Sequence, residues 1–152
     1  MTTFETLVAE LGRTLEIDLG PDSDGIAQIA AEDRVVLLRP EGNGERATLF
    51  TALAPLPDAE GAAAARQRLL ERALSLDLFG RDTLGGHVGL FVDTLLLSRD
   101  LPLADLSAED LADHLAAFAR LANDLAGRLE DASPATPSGD APVPLGPGLL
   151  RI

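Results

Sequence analysis

The chain has 152 residues and a formal net charge of -13, from 25 acidic and 12 basic residues, and it contains no Cys, Trp or Tyr. Every basic residue is Arg, so disulfides, thiolate metal sites, cysteine nucleophiles and a lysine-held phosphate are all excluded. The length fits one domain with a core of its own, the core is aliphatic because 46% of residues are hydrophobic and only 3% aromatic, and the acidic field disfavours nucleic acid and anionic membrane while suiting basic or apolar polypeptide.

Phe4, Leu7, Val8, Leu11 and Leu15 recur at the i, i+3, i+4 spacing of one helical face, with Thr2 or Thr3 placed to cap its start. This opening stretch carries acids and lacks a basic region followed by an apolar core, so it reads as a helix of the fold rather than a signal peptide. No apolar run approaches the roughly 20 residues of a membrane helix, and the expected location is the cytoplasm. Gly20, Pro21 and the run "DSDG" end the helical pattern. "GIAQIAA", "RVVLLRP" and "ATLFTAL" then read as three strands, with turns at Glu32-Asp33 and at Gly42, Asn43 and Gly44. Links this short allow only antiparallel pairing.

Pro55 and Pro57 close the third strand, and Asp58 is placed to cap a second helix from about Ala59 to Leu78. Its front is Ala-rich and its stripe is Leu69, Leu70, Ala73 and Leu74, a pattern that predicts burial on two faces. "HVGLFV" and "TLLLSRD" form a hairpin turning near Asp93. Alternation places Leu95 and Leu97 toward a helix layer and Leu96 on the opposite face, so that strand is apolar on both sides and a second surface needs covering. Ser107 and Asp110 make a capping box for a third helix, with Leu111, Leu115, Phe118, Ala122, Leu125 and Leu129 on its stripe. The order αβββαββα predicts an α+β domain over residues 1–130, with three helices on one face of a twisted five-stranded antiparallel sheet. Residues 131–152 are a Pro-rich extension whose five prolines favour an extended segment outside the core. Its apolar end, "LGPGLLRI", is either a solvated tail or a piece able to dock in a groove of the free protein.

Candidate chemistry fails on spacing. "GPDSDGIAQIAAE" has Asp22, Asp24 and Gly25 where a calcium loop needs them, but Gly20 stands at the first ligand and Ala31 at the bidentate acid, so it reads as a turn. His87 lies among glycines that match neither a dinucleotide fingerprint nor a P-loop, and His114 is one helical turn from Asp110, as in a surface ion pair. The acids cluster at helix starts, where the helix dipole accounts for them. No enzyme, cofactor or metal site is expected.

Several phrases converge in order: "FETLVAELGRTLEIDL", "GIAQIAAEDRVVLL", "ATLFTALAPLP" before a Leu-rich helix, and "LLLSRDLPLADLSAEDLADHLAAFARLANDL". Together, over most of residues 4–129, they resemble the class I type III secretion chaperones, the Tir-chaperone or CesT-like family. The resemblance implies a homodimer in the bacterial cytoplasm that binds the N-terminal region of one or more secreted effectors in extended form, keeps them secretion-competent and hands them to the secretion ATPase without binding ATP itself. It also implies a dimer interface on the second helix and the neighbouring hairpin, here Leu69, Leu70, Ala73, Leu74, Val88 and Leu90. Effector contact is expected on the outer side of the first helix and the adjoining strand, at Leu11, Leu15, Ile17, Ile26 and Ile29. Each of these positions fits an ordinary core role as well. The alternative function is a bacterial regulatory or binding domain of the same fold with no secretion role.

Overall fold

The computed structural model describes residues 2–131. The tail beyond Asp131, with the expectations placed on it, lies outside the described residues. Helix α1 (Thr3–Leu15) opens with a capping box, in which the Thr2 hydroxyl accepts the Glu5 amide at 3.2 Å and the Glu5 carboxylate accepts the Thr2 amide at 2.8 Å. It stops at Glu16, whose left-handed φ of 54° turns the Ile17 amide back to the Gly12 carbonyl. Gly12 lets the chain fold back closely there, since a Cβ would lie 3.1 Å from both the Ile17 carbonyl oxygen and the Leu19 side chain and would need the neighbours to give by a few tenths of an ångström.

Strands β1 (Ala27–Ala31), β2 (Arg34–Glu41) and β3 (Arg46–Pro55) form an antiparallel meander. Glu32 and Asp33, both at positive φ, make the first turn. At the second, Gly44 sits at φ 84° with its Cα pressed on Thr2, where a Cβ would come within 2.8 Å. After helix α2 (Ala63–Asp77), strands β4 (His87–Phe91) and β5 (Thr94–Pro102) form the hairpin, and helix α3 (Ala108–Asp131) completes the order. β5 inserts beside β3, so the sheet runs β1-β2-β3-β5-β4 and is antiparallel throughout, with a bulge between Ala52 and Ala54. The expected αβββαββα fold is the observed one. No helix among the described residues is long and apolar enough to cross a membrane.

One face of the sheet carries the core. α3 lies across β3, β2 and β1, with α1 packed beside it and α2 next to β4. Leu38, Leu49 and Leu97 from the strands, Phe4 and Leu11 from α1, and Phe118 and Leu125 from α3 are all essentially inaccessible. The residues between them on the strands point to the other face, as alternation requires. Leu95 and Leu97 are buried and Leu96 is partly exposed, which is the split expected for the opening of a second surface.

The second helix differs from expectation. It begins at Ala63 with no side-chain cap, because the Asp58 carboxylate accepts the nearby Glu60 amide and the Asp58 carbonyl accepts the Ala62 amide, forming a separate turn. Only Leu69, Ala73 and Leu76 are buried, so within one chain α2 buries one stripe rather than two. α3 starts as expected, with the Asp110 carboxylate accepting the Ser107 amide at 3.0 Å and its hydroxyl at 2.7 Å.

Both capping acids are held below their ordinary values. The Thr2 amide, then its hydroxyl, lowers the Glu5 carboxyl from 4.5, and the Ser107 amide, then its hydroxyl, lowers that of Asp110 from 3.8. A depressed folded value means that the contribution is complete above the unfolded pKa and is lost as pH falls through the folded one. Glu5→Gln with Asp110→Asn is therefore expected to flatten the loss of melting temperature as pH falls below the ordinary carboxylate range. An acid limb identical to that of the parent protein would overturn this assignment.

Candidate protein-binding surfaces

Three apolar surfaces lie outside the core. The first is a groove of about 310 Å³ at the β1 edge of the sheet, with Leu15 and the β1 residues Ile29 to Ala31 on one wall and Ala112, Asp113 and Ala116 of α3 on the other. β1 pairs only with β2 in the described sheet, so its other edge presents backbone donors and acceptors along the groove. The wall is fixed by a polar latch. The Glu32 carbonyl accepts Asn123 Nδ2 at 2.9 Å, Arg120 Nε meets the Glu32 carboxylate at 3.2 Å, and Arg34 donates to Asn123 Oδ1 and to the Ala52 carbonyl. Partial burial of its guanidinium lowers the Arg34 pKa from the usual arginine range.

The second surface lies on α2 and β4. α2 is tied to β4 by the Val88 amide donating to Asp77 at 2.7 Å, and to the turn that follows β4 by Arg66 bonding Asp93 at 3.2 Å. Among the described residues ten large hydrophobic side chains are exposed and seven of them fall from Leu74 to Val92, so this apolar surface is concentrated rather than scattered. Three of the seven, Phe79, Leu84 and Val92, have left-handed φ of 61°, 50° and 54°. Bulky side chains in that region carry a conformational cost, most of all the β-branched Val92. Large apolar groups thus stand at solvent positions where Gly or Asn would be relaxed. The third surface is the outer face of the sheet, where Val35, Leu37, Phe50, Ala52 and Leu96 are exposed or half-exposed.

What these surfaces have in common is that they are apolar, extended and free of converging catalytic groups. The Asp22 carboxylate is spent on the Asp24 and Ile26 amides at 2.9 and 3.0 Å, which makes "DSDG" a turn. His87 is exposed at the start of β4, 3.9 Å from Asp77. Residues 6–126 match the Tir chaperone protein (CesT) family. The chain belongs to that family.

No curated protein matches this CesT-family chain by sequence. Solved structures share its fold. The Yersinia pestis type III secretion chaperone SycH, solved with a fragment of YscM2, is 21% identical at a TM-score of 0.55, over 80% of this chain and 98% of that one. The HopA1-SchA chaperone-effector complex contributes a chain that is 22% identical at a TM-score of 0.59, covering 82% and 94%. A chain of the ExoT-SpcS complex from Pseudomonas aeruginosa is 16% identical at a TM-score of 0.55, covering 80% and 96%.

The residues expected to act divide by depth. Leu11 and Ile29 are buried and belong to the core of this CesT-family fold, Ile26 is half-buried, and Leu15 and Ile17 are exposed at 42% and 46%. Hence Leu11 is not available to a partner, because α1 turns that stripe against α3, whereas Leu15 and Ile17 flank the left-handed Glu16 where the chain leaves the core. On the second surface Leu69 and Ala73 are core, Leu70 and Val88 are half-buried, and Leu74 and Leu90 are exposed at 71% and 50%. Phe79, Leu84, Phe91 and Val92 were not among the expected interface residues. Their only sequence signal is a large apolar residue beside Gly or in a turn, as in "LFGRD" and "FVD".

Proposed function

We infer that the protein is a type III secretion chaperone that holds the N-terminal segment of one or more effectors in extended form and presents it to the secretion apparatus, including its ATPase. Membership of the CesT family over residues 6–126 is the observation that carries this reading. SycH was solved with a fragment of YscM2, and SchA in a chaperone-effector complex with HopA1, which supports a polypeptide ligand here as well. The work is binding rather than catalysis, in the bacterial cytoplasm.

The β1 groove suits such a ligand. An extended segment gains main-chain hydrogen bonds along the β1 edge, which tolerate varied sequences, and seats alternate side chains against Leu15, Ile29 and Ala112. Many modest contacts then offset the entropy of ordering the segment. The α2–β4 surface is assigned to a second copy of the chain, giving a homodimer with one cargo groove on each protomer.

The test is capture with the tagged protein from a secretion-competent bacterial lysate, followed by binding measurements on the N-terminal segment of the captured protein. Leu15→Asp with Ile17→Asp is expected to weaken that binding by about tenfold, since the remaining exposed area of each side chain is worth about 1 kcal/mol on burial. Both residues are exposed in the free chain, so the melting curve should hold. Unchanged affinity would remove the groove from the cargo site. Failure to capture any secreted protein would overturn the chaperone reading.

A further inference from the structure

The β1 groove has two carboxylates in its lining, Glu32 at the end of β1 and Asp113 on α3, and no basic residue. The two acids differ in what meets them. Glu32 is matched by Arg120 at 3.2 Å, whereas the Asp113 carboxylate, exposed on the α3 wall, joins no ion pair among the described residues. Basic groups near the groove are engaged elsewhere. Arg34 donates to Asn123 and to the Ala52 carbonyl, Arg13 reaches back along α1 to the Ala9 carbonyl at 3.4 Å, and His114 stands beside Asp110. Two further acids adjoin the groove in the chain, Glu16 after Leu15 and Asp33 after Glu32, and both are exposed.

We propose that this groove selects extended segments in which an arginine or lysine stands between large apolar residues on the same face, and that Asp113 is the residue that reads the charge. The inference rests on the cargo reading and names the class of segment that the groove takes. A strand added at the β1 edge turns alternate side chains toward the helix layer, where Leu15, Ala112 and Ala116 form the walls. The alanines leave room for a long side chain in a space of about 310 Å³. A basic residue suits that space, because its methylene stem lies along apolar surface while its charged head stays at the open side, where Asp113 stands. Arginine fits best, since its planar fork matches a carboxylate and is weakly hydrated. Arg120 on Glu32 is the same pairing made within the chain.

Main-chain pairing along β1 is indifferent to side chains, so discrimination among segments falls to the walls of the groove. Apolar walls accept any large aliphatic group. The charge at Asp113 adds a repulsive element, since an acidic side chain at the same place meets a carboxylate with no basic lining residue to answer it. The net charge of -13 acts in the same direction at longer range. Because the site is open to solvent, the preference is a matter of a few-fold at each position and weakens with salt.

The test uses three short capped peptides, TLTRTLT and its counterparts with glutamine or glutamate in place of arginine, titrated into the isotope-labelled full chain. Shifts of the Ala30 and Ala116 amide signals are expected to give affinities in the order arginine, glutamine, glutamate, with about fivefold between the first two at low salt. Asp113→Asn should bring the arginine and glutamine peptides level, and Asp113→Arg should reverse the order. Asp113 is exposed, so both variants should keep the parent melting curve. Equal affinities for the three peptides at the groove of the parent protein would overturn the charge selection and leave the groove as a cargo site. A preference for arginine that survives Asp113→Asn would overturn the role of Asp113. If none of the peptides moves the groove signals while the protein still captures its secreted partner, the cargo lies elsewhere, and the groove reading falls together with this inference.

Discussion

Phe118→Ala is expected to lower the stability of the fold by about 3–5 kcal/mol, a loss set by the removed burial and the cavity left behind. Phe118 is inaccessible, on the helix that crosses three strands and packs against α1. With no Trp or Tyr and only five Phe in the chain, the core is aliphatic. Phe4 and Phe118 are the two largest side chains fully enclosed in it. Leucines around the void are held by helix and sheet backbones on both sides and cannot close it. Against a total of about 5–15 kcal/mol for a domain of this kind, the variant should melt on the order of 10 °C lower or fail to accumulate. Phe79→Ala is the control, because that ring is 81% exposed and its removal should change the stability of the single chain by no more than about 0.5 kcal/mol. Denaturant titration of both variants decides the matter. Similar costs for the two would mean that the core is not organised around α3.

The contrast between these two phenylalanines shows where the sequence is legible. Spacing identifies the α3 stripe through Phe118, the hairpin and the Ser107–Asp110 capping box, since each is a local pattern with one physical reading, whereas at α1 it offers Thr2 or Thr3 as a cap without the reciprocal bond from Glu5. The start of α2 was missed because Asp58 satisfies a turn amide instead of a helix amide, and both outcomes look alike in sequence. Depth was the other failure. Leu11 and Leu15 sit one helical turn apart on the same stripe, yet the left-handed Glu16 that ends α1 leaves the first in the core and the second at the groove. Phe79, Leu84 and Val92 escaped for a related reason, since nothing periodic surrounds them and positive φ is unexpected for such residues.

Those same strained residues underlie the second large effect. Leu74→Asp with Phe79→Asp is expected to convert the protein from a dimer to a monomer of half the mass, read by light scattering or sedimentation. A two-fold interface uses the same patch twice, so two substitutions remove four apolar anchors and place four carboxylates against one another. Each Leu or Phe withdrawn from burial forfeits about 1.5–3 kcal/mol, and the total exceeds what an ordinary dimer interface has in reserve over the cost of association. Because Leu74 and Phe79 are 71% and 81% exposed in the single chain, the fold itself should persist, with an unchanged circular dichroism spectrum. Leu15→Asp, on the β1 groove, should remain dimeric and so separates this surface from a general effect of added charge. If the parent protein is already a monomer, or the double variant still a dimer, the α2–β4 surface has another occupant. The energetic cost of holding Phe79, Leu84 and Val92 in left-handed backbone would then have to be offset by that partner instead.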